Sequence, residues 1–311
     1  MTFFEFDPAD AETDFAAEMT NRQFAALRVR LNKPMLIVEL KALPVIAKLK
    51  CATNYDEREV RKYLANGWNT EFLLRTTAKL FAPDQLINAV HWAFPQAYYS
   101  AFTVTLAFFK AVGHSEHSHG AVIRKFGELV EAGKYPERLR FTARGGKPIH
   151  FVGITKTKTP STLTFDPKDA ALVETQICQF LKATRERDLN ERKKSAAFKT
   201  KSGKKKKSLA SEEWRVSDAL GPTSLLSLLY RKRIKSNYQE IETLVSPQIE
   251  AKPLFDDLIH VVSCLNLVNE VFVGKACGIE VLERASAAIR DEPFEFQATR
   301  LQYVREITGS V

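Results

Sequence analysis

Through most of the chain, apolar residues recur at intervals of three and four, the spacing of one face of an α-helix. Residues 8–31 show this pattern and predict an amphipathic helix. The run that follows, "MLIVELKALPVIAKL", is apolar enough for strand or helix and is interrupted by Pro44. Asn54 offers an N-cap for "YDEREVRKYLANGW", whose acidic first turn suits a helix N-terminus. Gly67 is a weak point in that helix before the pattern resumes in "NTEFLLRTTAKLF".

In "FPQAYYSAFTVTLAFFKAVG" apolar residues occupy nearly every face, so this helix is expected at the centre of the fold, with Pro95 at its first position and Gly113 at its stop. After the joint "HSEHSHG", Val122, Phe126, Leu129 and Val130 mark another amphipathic helix that ends at Gly133. From about 141 to 222 the texture changes. "RGGKPIHFVGITKTKTPSTLTFDP" alternates short β-branched runs with Gly and Pro, which predicts a hairpin or two short strands, and a helix over about 167–194 follows.

Pro222 and Thr223 reopen helix at "SLLSLLYRKRIKSNYQEIETLV", and Pro247 and Pro253 bracket a loop. "LFDDLIHVVSCLNLVNEVFVGKA" is again apolar on most faces, a last helix carries Val281, Leu282, Ala285 and Ile289, and the tail reads as strand or coil. No internal repeat is present. The pattern predicts a mainly α fold, a helical bundle with a small α+β insertion.

Composition adds little until charge is located. The 311 residues are 45% hydrophobic, ordinary for a chain that buries a core. No apolar run reaches the roughly 18 residues of a membrane span, and the N-terminal segment is acidic where a leader peptide would be basic. These features predict a soluble, cytoplasmic protein with no membrane partner. The four cysteines, Cys51, Cys178, Cys264 and Cys277, have no CxxC spacing and suggest reduced thiols.

The net charge of +9 is concentrated: residues 182–207 hold twelve Lys/Arg and three Asp/Glu, while the remainder balances at 34 against 34. Such a segment is an electrostatic footprint for a polyanion or, equally, a solvated loop. Its candidate contacts are Arg192, Lys193, Lys194 and Lys204, Lys205, Lys206 and Lys207.

Candidate chemistry is sparse. His114, His117 and His119 lie close together, but nothing at a suitable spacing completes a tetrahedral shell, so no metal or other cofactor is expected. His91 and His260 sit in apolar helical patterns and read as interior histidines. Phosphate-loop, dinucleotide, serine-hydrolase and zincin motifs are absent. Arg144 and His150 have the spacing by which some metal-independent ribonucleases place an Arg and a His on one helix, but the intervening "GGKPI" rules out a helix here. On the segment 228–241, Arg233, Asn237 and Tyr238 share one helical patch, with Arg231, Lys232 and Lys235 adding charge. That patch suits either a salt-bridged surface or a phosphate site.

Three segments in order, "AYYSAFTVTLAFFKAVG", "HSHGAVIRKFGELVEAG" and "LLYRKRIKSNYQEIETLV", resemble the signatures of the HEPN domain superfamily. Tyr98, Tyr99 and Phe102 match the first, His119, Val122, Ile123 and Phe126 the second, and Arg233 and Tyr238 the third. Ala121 stands where glycine is usual and Asn237 where many relatives have aspartate. The histidine of the nuclease form is missing, with Tyr238 at a comparable spacing.

The resemblance covers about 85–141 and 223–275 and implies a four- to five-helix bundle, so the chain is expected to divide into an N-terminal helical extension over 1–84, the bundle from 85–141 and 223–290, and an insertion over 142–222 with short strands, a helix and a lysine-rich loop. It also implies homodimerisation or assembly with a partner subunit, and a role in antiviral defence, a toxin–antitoxin pair or another RNA-targeting system. As an enzyme, the protein would be a metal-independent endoribonuclease. Arg233 would then stabilise the phosphate, and Tyr238, His119 or His150 would transfer the proton. The competing expectation is a non-catalytic nucleic-acid-binding or scaffold subunit.

Overall fold

The computed structural model describes residues 11–155, 165–194, 210–238, 244, 246, 248–289 and 294–309. The protein is mainly helical, with one two-stranded sheet among the described residues. It divides into two compact units, residues 1–115 with 229–311 and residues 116–228.

The first unit contains α1 (Ala11–Arg30), α2 (Lys33–Lys41), α3 (Glu57–Leu80), the single turn α4 (Pro83–Leu86) and α5 (Val90–Ala111). The segment that could have been strand or helix thus forms α2, with Asn32 accepting from Met35 N at 3.2 Å and Leu36 and Leu40 buried one turn apart. Asp56, two residues beyond Asn54, caps α3 by accepting from Arg58 N and Glu59 N at 2.9 and 3.2 Å. Pro95 lies inside α5 rather than at its start, because a 3-10 turn over Ile87–Ala89 leads directly into helix at Val90.

α3 and α5 pack closely at Gly67. A methyl group there would stand 2.4 Å from Val104 Cγ2 and 2.9 Å from Thr103 Oγ1, and the Gly67 carbonyl accepts from Ser100 Oγ at 2.9 Å. The apparent weak point in the sequence is therefore the place where two helix backbones approach.

The same unit closes with α10 (Ala251–Cys277), α11 (Ile279–Ala287) and α12 (Glu295–Thr308). Pro253 lies in the first turn of α10, where its missing N–H leaves no helical bond unmade. α10 is packed by α5, α1 and α12 and is buried on nearly every face. Its length and composition would also suit a membrane span, but 89% of that apolar window is buried inside the protein. The tail expected as strand or coil is the helix α12, burying Gln297, Arg300, Leu301 and Val304.

The second unit contains α6 (His119–Glu131), β1 (Thr142–Arg144), β2 (His150–Val152), α7 (Ala170–Lys193) and α8 (Ala210–Leu220). A further helix, α9 (Leu225–Tyr238), crosses the boundary between the units at Leu228 and Leu229. Ser118 caps α6 by accepting from Ala121 N at 3.3 Å. The two strands pair antiparallel, Thr142 with Val152, Ala143 with Phe151 and Arg144 with His150. On its other edge Ala143 exchanges two hydrogen bonds of 2.9 Å with Thr223, just before α9. Val173, Ile177, Phe180 and Leu181 form the buried stripe of α7, which packs on β1 and α8.

Candidate nucleic-acid interface

The second unit holds the positive charge. Residues 116–228 contain 23 Lys/Arg against 13 Asp/Glu, a balance of +10, and the rest of the chain has 23 against 24. Its hairpin shapes the most distinctive part of this basic surface. The five residues of "GGKPI" that forbid a helix make the connection between β1 and β2, with Gly145 at a φ of +85° that favours glycine. As a result Arg144 and His150 stand directly opposite each other in the antiparallel register, where paired Cβ atoms are roughly 5 Å apart.

Both line a cleft of about 650 Å³, together with Lys147 at the turn, Glu131, Ser217 and Asp218. Arg144 and His150 are exposed. Glu131 forms an ion pair with one amino group of Arg144, Nη1, at 3.1 Å. A smaller cleft of about 220 Å³ on the same turn is lined by Lys147, Glu186 and Lys193. The hairpin tip thus connects the Arg144 and His150 wall to the last turn of α7, where Arg192 and Lys194 are exposed and Lys194 pairs with Glu191 at 2.8 Å.

Arg185 fixes this geometry from beneath. It belongs to the lysine- and arginine-rich run, yet it is 1% exposed and faces inward. Its Nε donates to Gly145 O at 3.0 Å, its Nη1 to Gly221 O at 2.5 Å, and its Nη2 to Ser217 O and Oγ at 2.9 and 2.7 Å. One guanidinium therefore ties the hairpin turn to the two segments that complete the cleft wall. Burial pulls its pKa down to about 10, against the pull of Asp188, so it is charged at neutral pH.

The patch expected from the third signature lies in the first unit. Arg233 is half-buried, with its guanidinium 4.9 Å from the ring centre of Tyr99, 5.7 Å from Tyr230 and 5.8 Å from Tyr98. Segments far apart in sequence therefore meet in a cation–π cluster. Among the described residues no carboxylate pairs with Arg233, and its Nε is buried without an acceptor. Burial and the neighbouring Tyr230 push the Tyr98 phenol well up, so it stays protonated.

Lys232 faces inward, bonded to Thr20 Oγ1 at 2.8 Å beneath the Phe94 ring, whereas Arg231 and Lys235 are half-buried. Asn237 and Tyr238 are helical, but their side chains, like the whole of Lys204 to Lys207, lie outside the described residues. His119 opens α6 in the second unit, so it and Arg233 belong to different units. Among the described residues no cluster of His, Cys, Asp and Glu could hold a metal ion.

The Arg144 and His150 pair is visible in the sequence only as a spacing, because its juxtaposition depends on hairpin register. Lys147 gives no signal at all. Comparison with protein-family models, curated proteins and solved structures finds no match to this chain, so what the cleft does must be read from its own residues.

Proposed function

We propose that this chain is an RNA-associated protein, HEPN-like in its helical part, that works in a bacterial defence or toxin system and holds RNA on the hairpin cleft of its basic unit, residues 116–228. The observation that carries this reading is the cross-strand pair of Arg144 and His150, with Lys147 at the turn between them. Arginine and lysine supply charge to phosphate, and an exposed imidazole supplies a hydrogen bond or a stacking face to an unpaired base. The concentration of the chain's whole positive excess in this unit favours a polyanion over a small anion. The contact of Arg233 with Tyr98 and Tyr99 supports the HEPN-like assignment, since it joins the residues of the first and third signatures.

The test is binding of a labelled single-stranded RNA across a salt series. Arg144→Ala with Lys147→Ala is expected to weaken binding about tenfold and to lower the salt slope by roughly 0.7 for each phosphate no longer neutralised. Binding that is unchanged in that double variant would refute the placement on this cleft.

A catalytic version is favoured by the same pair. A base takes the 2′-hydroxyl proton, the 2′-oxygen attacks phosphorus, and the 5′-oxygen leaves with a proton, yielding a 2′,3′-cyclic phosphate and a 5′-hydroxyl end. In that version Arg144 stabilises the phosphorane and His150 transfers the proton. RNA cleavage in the presence of a chelator, abolished in His150→Ala, supports it. Cleavage abolished in Arg233→Ala but kept in His150→Ala would move the chemistry to the α9 patch.

A further inference from the structure

The first unit contains a cleft of about 610 Å³ formed by α3, the start of α2 and the start of α12. Lys33, Arg75 and Lys79 supply three cations to its wall, and among the described residues Glu295 is the one carboxylate lining it. Among the described residues Lys33 and Lys79 have no carboxylate within ion-pair distance, and Arg75 is held through Nε and Nη2 at 2.9 and 2.7 Å by the fully buried Glu71. Among the described residues, then, the wall has cationic charge at Lys33 and Lys79 that no carboxylate neutralises.

Aromatic rings stand beside these cations. Phe72 and Phe294 are stacked with centres 4.3 Å apart and planes 11° from parallel, and Phe294 and Phe296 continue the stack at 5.6 Å and 10°. Phe72 is 37% exposed, a large apolar ring left open next to positive charge. The Phe296 ring carries two guanidiniums, Arg75 at 4.6 Å and Arg300 at 4.9 Å. The hydroxyls of Thr76, Thr299 and Ser263 complete the lining.

The wall is anchored by a buried charged network. Arg300, 1% exposed, donates from Nη1 to Glu71 Oε2 at 2.6 Å and lies 3.0 Å through Nε from Glu270 Oε2. Asn266 Nδ2 donates to Glu71 Oε2 at 2.9 Å, and Trp68 Nε1 to Glu270 Oε1 at 2.7 Å. Burial pushes the Glu71 carboxyl up, but Arg300 and Arg75 outweigh it and hold the group below the usual carboxylate range. Glu270 is raised by burial, more than Arg300 and the Trp68 hydrogen bond pull it down. Arg300 retains one buried amino group, Nη2, without an acceptor. A buried network of this kind is weak evidence of stabilisation but a strong means of holding Arg75 in one position.

We infer that this cleft binds a free nucleoside phosphate, with Lys33, Arg75 and Lys79 on the phosphates and the base against the exposed Phe72 ring. A lone oxyanion would use the cations but leave the phenyl stack idle, and a neutral aromatic would do the reverse. A phosphorylated aromatic uses both, and the cleft volume lies within the usual few hundred to about 1,000 Å³ of small-ligand sites. The site belongs to the first unit and stands independently of RNA binding by the second.

The experiment is calorimetric titration of the full chain with ADP, GDP, adenosine and inorganic pyrophosphate. The diphosphates are expected to bind at least about tenfold more tightly than either adenosine or pyrophosphate. Lys79→Ala, at an exposed position, and Lys33→Met should each weaken ADP about tenfold while leaving single-stranded RNA binding unchanged. Phe72→Ala should weaken ADP but not pyrophosphate. Pyrophosphate binding as tightly as ADP overturns the nucleoside part of the inference. No binding of any diphosphate at millimolar concentration, or ADP affinity unaltered in both lysine variants, overturns the site itself.

Discussion

Asp257 shows how much a single buried group can decide. It lies on the apolar helix α10, where its ion-pair partner among the described residues is Arg28, at 3.2 Å. Burial pushes its carboxyl up to about 6, more than the Arg28 hydrogen bond and charge pull it down. An unfolded aspartate titrates near 3.8, so between about pH 4 and 6 the folded state binds more protons than the unfolded one. This contribution to stability is fully present below pH 4 and is lost as pH rises through 6.

A gap of about two pH units between the folded and unfolded carboxyl corresponds to roughly 2–3 kcal/mol. Asp257→Asn removes the ionisation, so the variant should gain on the parent protein by about that amount between pH 4 and pH 7. Urea denaturation of both proteins at the two pH values measures the difference. A difference that does not change with pH would mean that Asp257 is no more protonated when folded than when unfolded.

At the scale of elements, the sequence pattern locates the helices that bury a regular stripe and misses those that do not. α5, α6, α7 and α10 carry apolar residues at helical intervals, and each stands close to its expected place. α12 is hidden because two of its four buried positions are Gln297 and Arg300, whose polarity erases the period. The partners that make Arg300 tolerable there, Glu71 and Glu270, come from helices elsewhere in the sequence, so no local pattern could announce them. Arg144 and His150 are obscured for a different reason: a hairpin register, not a spacing, sets them face to face.

Gly67 reads as a helix defect until α5 is laid against it. Helix propensity alone predicts that Gly67→Ala stabilises α3 by about 1 kcal/mol. The added methyl would meet Val104 at 2.4 Å and the Ser100 carbonyl at 3.1 Å, an overlap that costs about 1–3 kcal/mol beyond that gain. A thermal melt should therefore show Tm lowered by roughly 2–6 °C. A rise in Tm would mean that propensity, not helix approach, governs the position.

For the whole molecule, the question is how charge confined to one part of the chain contributes to binding. Arg185 is counted in the basic run but spends its donors on three backbone carbonyls and a hydroxyl, so formal charge overstates the footprint. Of the run's other eleven basic residues, the candidate contacts are Arg192 to Lys194, at the end of α7, and Lys204 to Lys207. If Lys204 to Lys207 contact RNA phosphates, replacing all four with alanine removes up to four sites of counterion release. The slope of log K against log salt should then fall by as much as roughly 2.8, at about 0.7 per phosphate on a single strand.

The same replacement should leave Tm unchanged, and ADP binding by the first unit should be unaffected. A salt slope identical to that of the parent protein would identify the lysine run as solvated chain and leave Arg144, Lys147 and the end of α7 as the whole electrostatic contact. The two outcomes separate binding by the hairpin surface from binding by the lysine run, which a single affinity at one salt concentration cannot do.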